Sequence, residues 1–293
     1  MGIVLGPNRY GKAENRLVRI YRDTPRHVIR DLSVSTSLRG DFDAAHVSGD
    51  QANVLPTDTQ KNTVYAFAQE YGVGQIEDFA LTLGRHFVDA IEPVHGARIE
   101  VDEYAWERIE VDGREHDHSF VRRGQEVRTT TVTVEPEGRA WVVSGLKDLT
   151  LLKSTGSEFR GFLTDRYTTL AETRDRIMAT ALLARWRYRA ATAEWAASYA
   201  GVRASLLARF ATTHSLALQQ TLWEMGRAVL EQRPEITEVR LSAPNKHHFA
   251  VDLTPFGLEN PNEVFYAADR PYGLIQASVL RDDAPAPGAA WDD

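Results

Sequence analysis

The sequence predicts an α+β fold in which one plan is used twice: an antiparallel sheet with helices packed on one face. Leu32, Val34, Thr36 and Leu38 alternate with Asp31, Ser33, Ser35, Ser37 and Arg39, the period of a strand with one buried face. Val64, Phe67, Ala68 and Tyr71, then Ile76, Phe79, Ala80, Leu83, Phe87 and Ile91, recur at helical spacing as two apolar stripes separated by residues 72–74. The order of hairpin, helices and strands then returns in the second half. The repeat is read as an order of elements and not as residue identity.

Each element has its own signal. Leu17-Val18-Arg19-Ile20-Tyr21 is the hairpin partner expected for the strand at 31–39. Strand-like runs follow at 97–109, 127–135 and 139–145, broken by turn residues at Asp112-Gly113 and Pro136-Glu137-Gly138. In the second half Leu182, Ala184, Trp186 and Tyr188 alternate with Leu183, Arg185, Arg187 and Arg189 as a strand. Leu218, Leu222, Met225 and Val229 share one helix face, and residues 237–253 read as strand interrupted at Pro244. With a boundary near Val142, the expected domains are 1–141 and 142–283. Residues 284–293, rich in Pro, Ala and Asp, are expected to form a flexible tail.

At 293 residues the chain sits where single cores stop growing, about 250–300 residues, so two cores are expected. A net charge of -7 argues against a protein that neutralises phosphates, so no nucleic-acid partner is expected. Zero cysteines exclude a disulfide scaffold, a thiolate nucleophile and Cys-based zinc or iron-sulfur sites. Ile3-Val4-Leu5 before Pro7 is too short for a signal-peptide core, and no apolar run reaches membrane-spanning length, so no membrane association is expected. No glycine-rich phosphate loop, dinucleotide fingerprint or Ser-His-Asp order is found.

The richest stretch is Ser242-Ala243-Pro244-Asn245-Lys246-His247-His248-Phe249, where strand alternation sends the amide of Asn245 and the imidazole of His247 to one side. Taken with Arg9-Tyr10-Gly11-Lys12, Pro56-Thr57-Asp58-Thr59, Leu152-Lys153-Ser154-Thr155-Gly156-Ser157-Glu158-Phe159, and Tyr167-Thr168-Thr169-Leu170 through Arg176-Ile177, it resembles the urate oxidase (uricase) family. Five separated matches in order cover nearly the whole chain. The resemblance implies two tandem tunnelling-fold (T-fold) units whose sheets close into a barrel in a homotetramer. It also implies oxidation of urate by molecular oxygen, without cofactor or metal, in active sites at subunit interfaces. The C-terminus lacks the Ser-Lys-Leu type of peroxisomal address found in eukaryotic members, so a bacterial-type cytoplasmic protein is expected.

Residue by residue, the resemblance implies that Lys12, Thr57 and His247 handle protons. Arg176 and Gln219 grip opposite edges of the purine, Phe159 stacks beneath it, and Asn245 holds oxygen or water above it. Asp58, Leu170, Leu218 and Ile275 complete the pocket. Each residue also has an ordinary reading. Thr57 and Asp58 precede a helix, where such residues cap free amides; Lys12 suits a solvated surface; the charge-rich Arg174-Asp175-Arg176 suits salt bridges. Gln219 passes as a polar helix residue and Phe159 as core. His116-Asp117-His118 has the composition of a metal site but is read as structural. The competing functions are a non-catalytic purine or pterin binder on the same scaffold, a metal-dependent cyclohydrolase of related fold, and a purely structural scaffold.

Overall fold

The structure is a computed structural model that describes residues 2–292. Its elements are β1 (Asn15–Tyr21), β2 (Val28–Gly40), α1 (Asp43–Val47), α2 (Thr57–Glu70), α3 (Ile76–Ala90), β3 (Val94–Val111), β4 (Arg114–Val134), β5 (Ala140–Lys153), β6 (Met178–Tyr188), α4 (Trp195–Thr212), α5 (Leu218–Gln232), β7 (Ile236–Ala250) and β8 (Phe265–Leu280). Two compact units divide the chain: Met1–Gly145 with Arg187–Ala197 and Pro285–Asp293, and Leu146–Trp186 with Ser198–Ala284. The first switch falls inside β5, a few residues beyond the boundary expected near Val142.

In the first unit β1, β2, β3 and β4 pair antiparallel in chain order. Leu32, Val34, Thr36 and Leu38 of β2 are buried as the alternation predicts, with Ala97, Ile99 and Val101 of β3 beside them, but Asp31 and Ser33 on the other face are buried too, so one-sided burial holds only from Val34 onward. Onto β3 and β4 packs α3, whose Ile76, Phe79, Leu83 and Phe87 leave water almost completely. Burial of side chains of this size contributes about 1.5–3 kcal/mol each. Gly84 lets the helix approach closely, since a Cβ there would lie 2.7 Å from Val134 Cγ2. Asp112 and Gly113, at φ 51° and 73°, form the two-residue turn between β3 and β4.

The second unit repeats the arrangement with the end of β5 and with β6, β7 and β8 in chain order. Here α5 packs on β7 and β8, and a Cβ on Gly226 would lie 2.6 Å from Val279 Cγ2. Gly84 and Gly226 are each the ninth residue of a 15-residue helix. The duplication therefore leaves a trace in residue identity that element order alone does not reveal.

Three segments differ from the sequence reading. The β3–β4 hairpin is a long ribbon that includes 114–126, a stretch exposed on most of its length and so without the apolar period that marks a strand. β7 does not break at Pro244, which pairs with Leu274; the register shifts just beyond, between Asn245 and His247. Within 284–293, a 3-10 turn spans Gly288–Trp291, with Ala289 and Ala290 buried and Arg98 Nη1 donating to the Asp292 carbonyl. Among the described residues no helix is long and apolar enough to cross a membrane.

Candidate functional site

The first unit holds Lys12 and Thr57 through one buried network. Residues 10–12 run along β2: Tyr10 and Leu38 exchange backbone bonds, and Thr36 N donates to the Lys12 carbonyl at 2.9 Å. Gly11 is required there, because a Cβ would lie 1.7 Å from the Thr36 carbonyl oxygen. The ladder cannot close normally at this approach, and Lys12 N donates instead to Thr36 Oγ1 at 3.2 Å. That hydroxyl donates to Gln60 Oε1 at 2.7 Å, while Gln60 Nε2 donates to the Leu55 carbonyl at 3.3 Å. Tyr10 Oη donates to the same carbonyl at 3.0 Å. Gln60, at 0% exposure, thus ties the main chain of Lys12 to the turn that leads into Thr57.

Thr57 is the first residue of α2. The N-cap is Pro56 and no side chain caps the helix, so the capping reading of Thr57 and Asp58 does not hold. The Asp58 carboxylate instead pairs with Lys61 and accepts from Asn62 Nδ2 at 3.1 Å. The Lys61 bond holds the Asp58 carboxyl below its ordinary range, and the charge of Lys12 adds in the same direction. Half-buried Thr57 keeps its hydroxyl at a helix N-terminus, where exposed amides favour anions.

In the second unit the long connection between β5 and β6 folds back on itself. Phe159 and Thr173 exchange backbone bonds at 2.9 Å, and Arg176 N donates to the Ser157 carbonyl at 2.9 Å. The Asp175 carboxylate reinforces the fold by accepting from Thr155 Oγ1 and from Gly156 N. As a result the Arg176 guanidinium carbon lies 4.9 Å from the Phe159 ring centroid, and that ring stacks on Phe162. Arg176 Nε is buried with no hydrogen-bond partner, and burial lowers the arginine's pKa. Polar groups buried without partners are uncommon and call for a reason. Burial, then the charges of Arg176 and His248, push the His247 imidazole below its ordinary value. The His247 ring stacks on Phe249, with ring centroids 5.7 Å apart. The pairing register shifts between Asn245 and His247, where two residues of β7 span five of β8, from Gly273 to Ala268.

Leu218 is buried at the start of α5, whereas neighbouring Gln219 is exposed; Leu170 is 58% exposed, and Asn245 and Ile275 are half-buried on β7 and β8. The side-chain amides of Gln219 and Asn245 take no hydrogen bond from other described residues. The supporting roles of Gln60 and Thr36 escape sequence reasoning, since a glutamine on a helix or a threonine on a strand announces no partner. A groove of about 530 Å³ lies in the first unit, lined by Arg9, Arg39, Arg98 and Trp291 among others. Its cations are partly neutralised, Arg39 by Glu135 and Arg98 by Glu100, and none of the expected site residues lines it. His116 and His118 contact one another edge to face, and among the described residues no cluster of three or more His, Asp or Glu is disposed to hold a metal ion.

Two tandem units, each an antiparallel sheet with helices packed against it, define the T-fold class. A family model described as Uricase matches residues 8–133 and 142–276. The chain is 55% identical to the uricase of Arthrobacter globiformis over 99% of its own length and 94% of that protein. It is 36% identical to the uricase of Dictyostelium discoideum over 94% of this chain and 96% of that one. The crystal structure of the Arthrobacter globiformis uricase matches with a TM-score of 0.95, covering 100% of both chains at 55% identity. A uricase from Bacillus fastidious matches with a TM-score of 0.84 at 26% identity, covering 96% of each chain. The chain belongs to the uricase family.

Proposed function

We propose that this protein is a urate oxidase, which converts urate, dioxygen and water into 5-hydroxyisourate and hydrogen peroxide. The observation that carries the reading is Arg176: a half-buried guanidinium over an aromatic ring, with an unpartnered buried Nε, whose charge helps burial lower the pKa of the His247 imidazole. These groups suit a flat anion with alternating donors and acceptors. Arg176 takes one edge of the purine bidentately, Gln219 takes the opposite edge, and Phe159 stacks beneath the ring. Leu170, Leu218 and Ile275 bound the apolar side.

A closed-shell anion reacts slowly with triplet oxygen because spin forbids a concerted two-electron step. Deprotonation raises the electron density of the ring until electrons pass singly. Lys12 and Thr57 draw a proton away, and Asp58 beside them senses the lysine charge. His247 completes the relay as a neutral imidazole able to accept a proton. Asn245 places oxygen, then the attacking water, above the ring. The protein acts through orientation and electrostatics and requires no metal or organic cofactor. Sites at subunit interfaces of a homotetramer, with Thr57 from one chain and Arg176 and Gln219 from another, in a cytoplasmic setting, complete the proposal.

Chelator-treated protein is expected to bleach the ultraviolet band of urate with stoichiometric oxygen uptake; activity that vanished with metal and returned on its addition would overturn the cofactor-free reading. Lys12→Met is expected to lower kcat by about 10²–10⁴-fold while xanthine binding holds within about twofold. Arg176→Ala is expected to weaken xanthine binding itself. Equal binding losses in the two variants would remove the division of roles.

A further inference from the structure

In the first unit the second residue of α3 is Glu77, at 0% exposure. Its Oε2 accepts from Arg128 Nη2 at 2.8 Å and its Oε1 from Ser144 Oγ at 2.6 Å. Arg128 lies opposite Glu103 in the β3–β4 ladder, with Nη1 3.7 Å from Glu103 Oε2. A planar guanidinium is therefore wedged between two carboxylates at the start of the helix.

The two units can be read in register from their packing. Gly84 of α3 rests on Val134, which pairs with Ala97; Gly226 of α5 rests on Val279, which pairs with Val239. Seven residues back along each helix stand Glu77 and Gln219. Six residues along each ladder stand the pairs Glu103 with Arg128 and Asn245 with Gly273. The three positions of the ion cluster thus carry, in the second unit, two neutral amides and a glycine.

Gly273 borders the register shift between β7 and β8, yet neither a strained backbone nor a close approach within the chain requires a glycine there. Its φ lies outside the left-handed region, and a Cβ would meet only Ile275 Cδ1, at an ordinary 3.5 Å. Glycine inside a strand weakens it, and where backbone conformation does not require it, close approach of a ligand is a recurrent cause. We infer that Gly273 is a specificity-determining residue: its missing side chain leaves open, between Gln219 and Asn245, the space that the Arg128 guanidinium fills between Glu77 and Glu103, and the flat substrate lies there. The exchange of carboxylates for amides fits the change of occupant. Two carboxylates suit a cation and would repel an anionic purine, whereas the neutral amide of Gln219 donates to and accepts from its edge and that of Asn245 tolerates the anion beneath the oxygen or water it holds. The inference rests on the reading of Gln219 and Asn245 as substrate contacts.

The test uses the full-length enzyme, urate as substrate and xanthine as a purine that lacks the 8-oxygen. Gly273→Ala is expected to raise the urate KM and the xanthine Ki by about tenfold, and Gly273→Leu to abolish binding, because pockets shaped to a planar ligand discriminate by one or two carbons. Thermal midpoints should stay within about 4 °C of the parent, since neither change removes a contact. If the leucine variant does not fold, the alanine variant decides, as its Cβ has room. KM and Ki within about twofold of the parent in Gly273→Ala, while Gln219→Ala weakens both, would overturn the role of Gly273 alone. Unchanged KM and Ki in Gln219→Ala would remove the underlying assignment of the site and the inference with it.

Discussion

The two units share their sheet order and a sheet-facing helix with glycine at its ninth residue, yet treat the junction between helix and ladder in opposite ways. The first fills it with Glu77, Arg128 and Glu103 and completes it with Ser144. The second places Gln219, Asn245 and Gly273 there and, among the described residues, bonds neither amide. One copy of a duplicated plan can thus spend its polar groups on itself while the other keeps them for a ligand. The contrast extends to the connections: the groups expected to move protons in the first unit hang on a buried amide network, whereas Phe159 and Arg176 sit on a loop laced by its own backbone.

The largest expected effect would test that contrast directly. Arg128→Ala strands the buried Glu77 charge and is expected to cost about 3–5 kcal/mol of stability, whereas Gln219→Ala, at the matching helix position, should stay within about 0.5 kcal/mol. Denaturant unfolding of both variants measures it, and similar losses would end the claim that only one junction is structural. Next, Gly84→Ala and Gly226→Ala each force a Cβ to within 2.7 Å and 2.6 Å of a valine methyl. Each should cost about 1–3 kcal/mol, and a loss in one alone would break the equivalence of the two helices.

The smallest effect concerns pH. The His247 pKa is lowered in the folded chain, so the unfolded chain binds the proton more readily. Its contribution to stability is therefore complete above the ordinary imidazole value of about 6.5 and is lost as pH falls through the window between that value and the folded one. Burial is the main cause and Arg176 the next. In Arg176→Gln the imidazole titration followed by NMR should move part of the way up toward the ordinary value. An unmoved midpoint would show that the Arg176 charge does not act on the imidazole.

Much of the scaffold is legible in the sequence where one face of an element is buried. The alternation at 31–39 and the stripes from Val64 to Ile91 match β2, α2 and α3 because burial imposes their periods. The ribbon at 114–126 is not legible, since a hairpin exposed on both faces has no apolar face to repeat. Pro244 reads as a break, yet its strand pairs with β8 through Asn245 and, after a register shift, on to Ala250. Capping was the simplest local reading of Thr57 and Asp58, but Pro56 takes the cap position and Lys61 claims the Asp58 carboxylate. The family motifs make the expected site residues nameable in the sequence. The residues that support them, Thr36 and Gln60, act through bonds over 24 positions and leave no local pattern.

Gly11 has a consequence for how inactivation relates to unfolding. The amine of Lys12 is carried on an arm outside the regular ladder, held by a few main-chain bonds, a threonine hydroxyl and the closeness that a residue without Cβ permits. Such an arm can peel at a free energy well below that of opening either core. Warmth, a bulky graft at the N-terminus or a methyl at position 11 would act on the same hinge, disarming the chemistry in a molecule whose sheets are still intact.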